Sequence, residues 1–151
     1  MVNDYKEWLD RAKSSLAISK NKTNDDIFYE DLCFQAQQAV EKALKGLLIF
    51  YNAEPEKTHN LVSLIKELSK YMDIPEEINE AVILNDYAVQ TRYPGGYTPI
   101  GEEEYNFAII MAEKCVQWIG KKIKELLKKA EEDKNQLYFN NIDNKNKKYS
   151  T

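Results

Sequence analysis

Three stretches of this 151-residue chain carry side chains suited to chemistry. The most specific is Arg92-Tyr93-Pro94-Gly95-Gly96-Tyr97. Arg grips phosphate in bidentate fashion, Tyr offers a stacking face to a base, and a Pro-Gly-Gly turn lets backbone amides approach an anion. The plain alternative is a tight connector whose Arg92 pairs with an acidic neighbour such as Asp86. The second stretch is Lys57-Thr58-His59-Asn60-Leu61, which holds the single histidine of the chain. An imidazole at a helix start serves as a catalytic base or simply hydrogen-bonds nearby backbone or solvent. The third runs from Phe34 to Lys45, where Gln38, Glu41, Lys42 and Lys45 share one helical face at spacings of three, four and seven. Its plain reading is a solvated face with a Glu41–Lys45 pair, worth a few tenths of a kcal/mol.

Five helical segments position these residues, and no segment alternates as a strand. The first spans about Asp4–Lys20 behind an Asn3 cap, with Tyr5, Trp8, Leu9, Ala12 and Leu16 on one face. The second, about Asp26–Asn52, would be roughly 40 Å long. Its broad apolar face runs from Phe28 and Leu32 through Val40 and Leu44 to Phe50, and Pro55 forbids continuation. Thr58 can cap a third helix with Leu61, Leu64, Ile65 and Leu68 buried. A fourth begins at Pro75 and carries Ile78, Ala81, Val82 and Leu84. The segment Arg92–Gly101 holds two prolines and three of the five glycines, a loop by composition. A fifth helix starts at Glu102-Glu103-Glu104, where the helix dipole favours acid. It is expected to fade after Ala130 into a polar tail, interrupted by Leu137, Tyr138, Phe139 and Ile142. Helices joined by short loops usually lie antiparallel, so the expected fold is an all-α, up-down bundle of four to five helices over residues 1–133, followed by a tail, 134–151.

Composition narrows the function classes. The net charge is −4, with +3 in residues 134–151 and −7 in the rest, which argues against a basic nucleic-acid coat protein. Two cysteines 82 positions apart and one histidine do not make a structural zinc site. Cys33 and Cys115 fall inside apolar helical patterns and read as buried free thiols. No run approaches the ~20 apolar residues of a membrane span, and the N-terminus lacks the apolar core of a signal peptide. A cytoplasmic protein without metal or cofactor is the expectation. Ala36, Ala39, Ala43 and Gly46 recur along the second helix as a surface for close helix approach, from which a symmetric homodimer is expected.

Phe34-x-x-Gln37-Gln38-Ala39-x-Glu41-Lys42-x-Leu44-Lys45, Lys57-Thr58-His59-Asn60-Leu61 and Arg92-Tyr93-Pro94-Gly95 together resemble the HEPN domain of prokaryotes, over about residues 4–125. The resemblance implies a helical bundle related to the helical domain of kanamycin nucleotidyltransferase. It also implies a homodimer, encoded beside a minimal nucleotidyltransferase as a toxin–antitoxin pair. Many members are metal-independent ribonucleases marked by Arg, four to six residues, then His, with attack by the RNA 2′-hydroxyl. Here the positions that should hold histidine are Tyr97, Thr98 and Pro99. A phenol near pKa 10 replaces imidazole poorly as an acid–base group.

Three functions follow as expectations. In the first, the chain is the nucleotide- or RNA-binding member of such a pair, with a degenerate catalytic motif. Arg92, Lys42 and Lys45 would then meet phosphate, Tyr93 or Tyr97 would stack, and Gln38 and Glu41 would complete the polar face. The second is an active ribonuclease in which His59 works with Arg92. The third is a non-catalytic helical adaptor.

Overall fold

The computed structural model describes residues 4–89, 94 and 98–150. Among them every regular element is helical: α1 (Tyr5–Ser19), α2 (Tyr29–Phe50), α3 (Leu61–Leu68), α4 (Glu76–Glu80), a 3-10 segment (Ala81–Ala88) and α5 (Glu102–Tyr149). Two compact units divide the chain, residues 1–120 and residues 121–151.

In the first unit α2 is the central element, packed against α1, α3 and the 3-10 segment. Its apolar periodicity explains this. Leu32, Cys33, Ala36, Ala39, Val40, Ala43, Leu44, Leu47 and Leu48 are all buried. The small residues expected to receive a second copy are used inside the chain instead. A Cβ added at Gly46 would meet Trp8 Cβ at 3.2 Å, Leu9 Cδ2 at 3.4 Å and the Tyr5 carbonyl oxygen at 3.4 Å. The glycine therefore sets how closely α1 and α2 approach.

Helix ends depart from the sequence expectation in instructive ways. Asp4 caps α1, its carboxylate accepting from the Lys6 amide at 2.9 Å. Phe28, expected in the core, stands at the N-cap of α2 and is 63% exposed. At the other end α2 stops well before Pro55. Asn52 takes φ 62°, and the Asn52 and Ala53 amides donate to the carbonyls of Ile49 and Leu48. This left-handed cap satisfies the terminal carbonyls, and asparagine tolerates it better than most residues. Asn60 rather than Thr58 caps α3, accepting from the Val62 amide at 2.9 Å. Thr58 instead accepts from the Asn60 amide at 3.1 Å.

The fourth helix is shorter than its pattern suggested and tightens into the 3-10 segment after Glu80. Ala81, Leu84 and Ala88 still face the core, at spacings of three and four. Inside the first unit α5 is held to the ends of α1 and α2. The Tyr105 hydroxyl donates to the Ser19 carbonyl at 2.6 Å, the Tyr29 and Tyr105 rings lie 4.8 Å apart, and Lys20 pairs with Glu113.

In the second unit the polar tail expected after Ala130 is helix as far as Tyr149. Polarity suggested a loop, but no Gly or Pro follows Gly120, and Lys, Glu, Gln and Leu propagate a helix well. Gln136 and Asn140 add an i,i+4 side-chain bond of 3.3 Å.

Cys33 and Cys115 are buried free thiols, each pushed up to about 12 chiefly by burial, with nearby glutamates adding to it. Among the described residues no helix is long and apolar enough to cross a membrane.

The α1–α2 approach yields a direct test. Gly46→Leu should destabilise the fold by about 1–3 kcal/mol through overpacking against Trp8 and Leu9, read as a lowered urea midpoint.

Candidate functional site: a buried carboxylate holding an exposed histidine

Glu41 projects from the middle of α2 and its side chain is 4% exposed. A carboxylate out of water needs partners, and three side chains supply them. His59 Nδ1 lies 2.9 Å from Glu41 Oε1, Lys45 Nζ lies 3.3 Å from Oε2, and Gln37 Nε2 reaches Oε1 at 3.4 Å. Gln37 is wholly buried and also donates to the His59 carbonyl at 3.1 Å, while Gln38 donates to Gln37 Oε1 at 2.8 Å. Gln37, Glu41 and Lys45 are successive i,i+4 neighbours, so one helical stripe lines up donor, acid and base.

His59 itself is positioned by the start of α3. Asn60 caps that helix, and the Asn85 side chain from the 3-10 segment accepts from the Leu61 amide at 2.8 Å. His59 is therefore held at two points, its backbone carbonyl by Gln37 and one ring nitrogen by Glu41. Its side chain is nonetheless 67% exposed. A neutral ring with its proton on Nδ1 donates to Glu41 and leaves Nε2 as an acceptor. A carboxylate orienting an imidazole in this way is two-thirds of the arrangement used to activate a hydroxyl.

The polar face of α2 is thus not the solvated face that spacing suggested. Glu41 and Lys45 are both buried, and the pair belongs to a network rather than to a surface. Lys45 also lies over the Trp8 ring, 5.7 Å from its centroid. Lys42 does not join the cluster. Its ammonium donates to Ser15 Oγ of α1 at 2.8 Å, and burial lowers it from its usual value, with Glu41 opposing and Arg11 adding to that shift. The ammonium groups of both lysines are therefore engaged within the chain. Arg92, Tyr93 and Tyr97 lie outside the described residues.

Sequence reasoning passed over Gln37 as a site residue. The available signal was a third polar residue at the same i,i+4 spacing, one turn before Glu41.

A separate cavity of about 510 Å³ opens beside the first turn of α2. Ile27, Phe28, Tyr29, Ile100, Pro94 and Pro99 line it together with the charged Lys22 and Glu30. Lys22 is spoken for, donating to the Asn24 and Ile27 carbonyls and lying 5.1 Å from the centre of the Tyr29 ring. Glu30 accepts from the Ile100 amide at 2.9 Å. None of the residues lining this cavity belongs to the Glu41–His59 cluster. Among the described residues no group of histidine, cysteine and carboxylate side chains is arranged to hold a metal ion.

The HEPN domain family model matches residues 5–126. Among solved structures, the protein TT1696 from Thermus thermophilus is 29% identical, with a TM-score of 0.69 over 80% of this chain and 99% of that one. ST0689, an archaeal HEPN homologue, is 26% identical, with a TM-score of 0.64 over 80% of this chain and 98% of that one. No curated protein matches the sequence.

Removal of the acid tests the network. Glu41→Ala strands a buried ammonium and should cost about 3–5 kcal/mol in urea unfolding, whereas Glu41→Leu combined with Lys45→Met should recover most of that loss.

Proposed function

From the premise that the chain belongs to the HEPN domain family, we propose that it is the nucleotide- or RNA-binding member of a pair with a minimal nucleotidyltransferase. The observation that carries this reading is the 510 Å³ cavity bounded by Pro94 and Pro99, the two prolines of the segment that also contains Arg92, Tyr93 and Tyr97. Apart from Lys22 and Glu30 its walls are aromatic and aliphatic, and Phe28 is exposed among them rather than used in the core. Such a surface suits a base, since stacking on an aromatic side chain contributes about 1–3 kcal/mol per base. Arg92 supplies the planar cation for phosphate. The commitments of Lys42 to Ser15 and Lys45 to Glu41 concentrate that role on Arg92. The excess acid of residues 1–120 favours a nucleotide or short single strand over long RNA.

Titration of the protein with ATP and with a short single-stranded RNA tests the proposal. Phe28→Ala should weaken binding by about 5–150-fold, the equivalent of one lost stack. Arg92→Ala should weaken it by about 10–150-fold, and the wild-type affinity should fall with salt. Unchanged affinity in both variants would leave the adaptor function in its place. Co-purification with a minimal nucleotidyltransferase encoded next to this chain tests the pairing.

A second reading is favoured by one specific observation, the 2.9 Å contact that orients an exposed imidazole with a buried carboxylate. In that reading His59 is the general base that removes the proton from an RNA 2′-hydroxyl held by Arg92. General acid–base assistance contributes about 10²–10⁴-fold, so its presence or absence is readily measured. With no histidine at Tyr97, Thr98 or Pro99, RNA turnover by the purified protein should be absent or very slow. Cleavage that disappears in both His59→Ala and Arg92→Ala would establish the ribonuclease instead.

A further inference from the structure

Of the described side chains that line the cavity beside the first turn of α2, two are polar, Lys22 and Glu30. They differ in what they leave for a ligand. The Lys22 ammonium donates to the Asn24 and Ile27 carbonyls and lies 5.1 Å from the centre of the Tyr29 ring, so it is occupied within the chain. Glu30 is occupied on one side only. Its Oε1 accepts from the Ile100 amide at 2.9 Å, across 70 positions of sequence, and no described residue bonds to Oε2. A side chain already anchored in this way leaves less ordering to be done when a ligand binds.

A carboxylate accepts and does not donate. Each of its oxygens has two lone pairs, so Oε1 can take a second hydrogen beside that of the Ile100 amide. At Glu30 the cavity therefore offers two adjacent acceptors with a negative charge, among Ile27, Phe28, Tyr29 and Ile100. The stacking surface is Phe28, which is 63% exposed. The Tyr29 ring is instead engaged by Tyr105 at 4.8 Å and by Lys22.

Two adjacent acceptors distinguish the four RNA bases by their pairing edges. Guanine carries two neighbouring donors there, N1–H and the N2 amino group. Adenine and cytosine each set an amino group beside a ring nitrogen with a lone pair. Uracil sets one N–H between two carbonyls. Opposite a carboxylate, each of those three brings a lone pair against an oxygen, and guanine does not. The same negative charge repels phosphate, which favours a base directed toward Glu30 with its phosphate directed away.

Resting on the reading of this cavity as a base site, we propose that Glu30 makes it selective for guanine. The carboxylate accepts from N1–H and from the amino group, while Phe28 stacks on the ring.

Calorimetric titration of the full chain with the 5′-monophosphates of guanosine, inosine and adenosine tests the selectivity. Inosine carries guanine without its amino group, so this pair isolates one hydrogen bond. The guanosine nucleotide should bind about 10–150-fold more tightly than the inosine nucleotide, the equivalent of one charge-assisted bond. Its lead over adenosine should be at least about tenfold. In Glu30→Gln the amide oxygen can still accept from the Ile100 amide, while the NH2 group puts a donor where Oε2 stood. Guanosine should then lose at least about tenfold, and its lead over adenosine should vanish. The urea midpoint verifies that the variant is folded, and the guanosine–inosine comparison in wild type stands without it. Phe28→Ala should weaken all three ligands by similar factors and leave their order unchanged. The same bases placed singly in a short oligouridine show whether guanine is read in a strand or in a free nucleotide, and a preference in either carrier supports the proposal.

Equal affinity of the wild type for the three bases would overturn the selectivity and leave base binding at the cavity intact. A guanine preference that persists in Glu30→Gln would also overturn it, because another group would then be making the choice. Failure of every one of these ligands to bind would remove both the selectivity and the base site on which it rests.

Discussion

A carboxylate buried in the middle of α2 constrains everything around it. Glu41 is almost wholly removed from water, and an isolated charge in that position would oppose folding by several kcal/mol. Its compensation comes from three directions. Lys45 arrives from the next turn of α2, Gln37 from the previous turn, and His59 from the segment that leads into α3. The connection after α2 must therefore return the chain to mid-height of that helix. The left-handed cap at Asn52 begins the reversal, and the caps of α3 complete it. Local geometry far from the acid is tied to its electrostatics.

The same requirement separates two kinds of cation along one helix. Lys42 and Lys45 are three residues apart and look equivalent in the sequence, yet one crosses to Ser15 of α1 and the other stays with Glu41. Both ammonium groups have partners within the chain. Trp8, packed where α1 meets Gly46, also lies beneath the Lys45 ammonium, so the close helix crossing and the buried ion pair share a residue. Packing and charge compensation are here one construction.

The helical fold and the buried faces of α2 and α3 were legible in the sequence, because apolar residues at spacings of three and four have little alternative use. The partners of polar residues were less so. Gln38, Glu41 and Lys45 were singled out by spacing, but periodicity cannot tell a solvated face from one covered by a distant segment. It was His59, 18 positions from Glu41, that supplied the cover. Thr58 and Asn60 are both competent caps, and only the path of the chain chooses between them. Phe28 is apolar and sits at core spacing, yet it falls one residue before the helix begins and turns outward. The end of α5 was misjudged because polarity resembles a loop, whereas termination needs Gly, Pro or a competing hydrogen bond. Arg92, Tyr93 and Tyr97 were the most specific local signal and lie outside the described residues.

The Asn85 side chain has a mechanical consequence. Its oxygen is the partner of the Leu61 amide at the first turn of α3, two residues from His59, while Asn85 itself belongs to the 3-10 segment. Hydrogen bonds in a 3-10 helix are poorer in geometry than those of an α-helix, so such a segment rearranges more readily. If it does, either α3 moves with it or a half-buried amide is left bare, which costs about 1–3 kcal/mol. Covalently, the 3-10 segment leads directly into the stretch that contains Arg92. One hydrogen bond thus ties the first turn of α3 to a 3-10 segment 24 positions further along the chain.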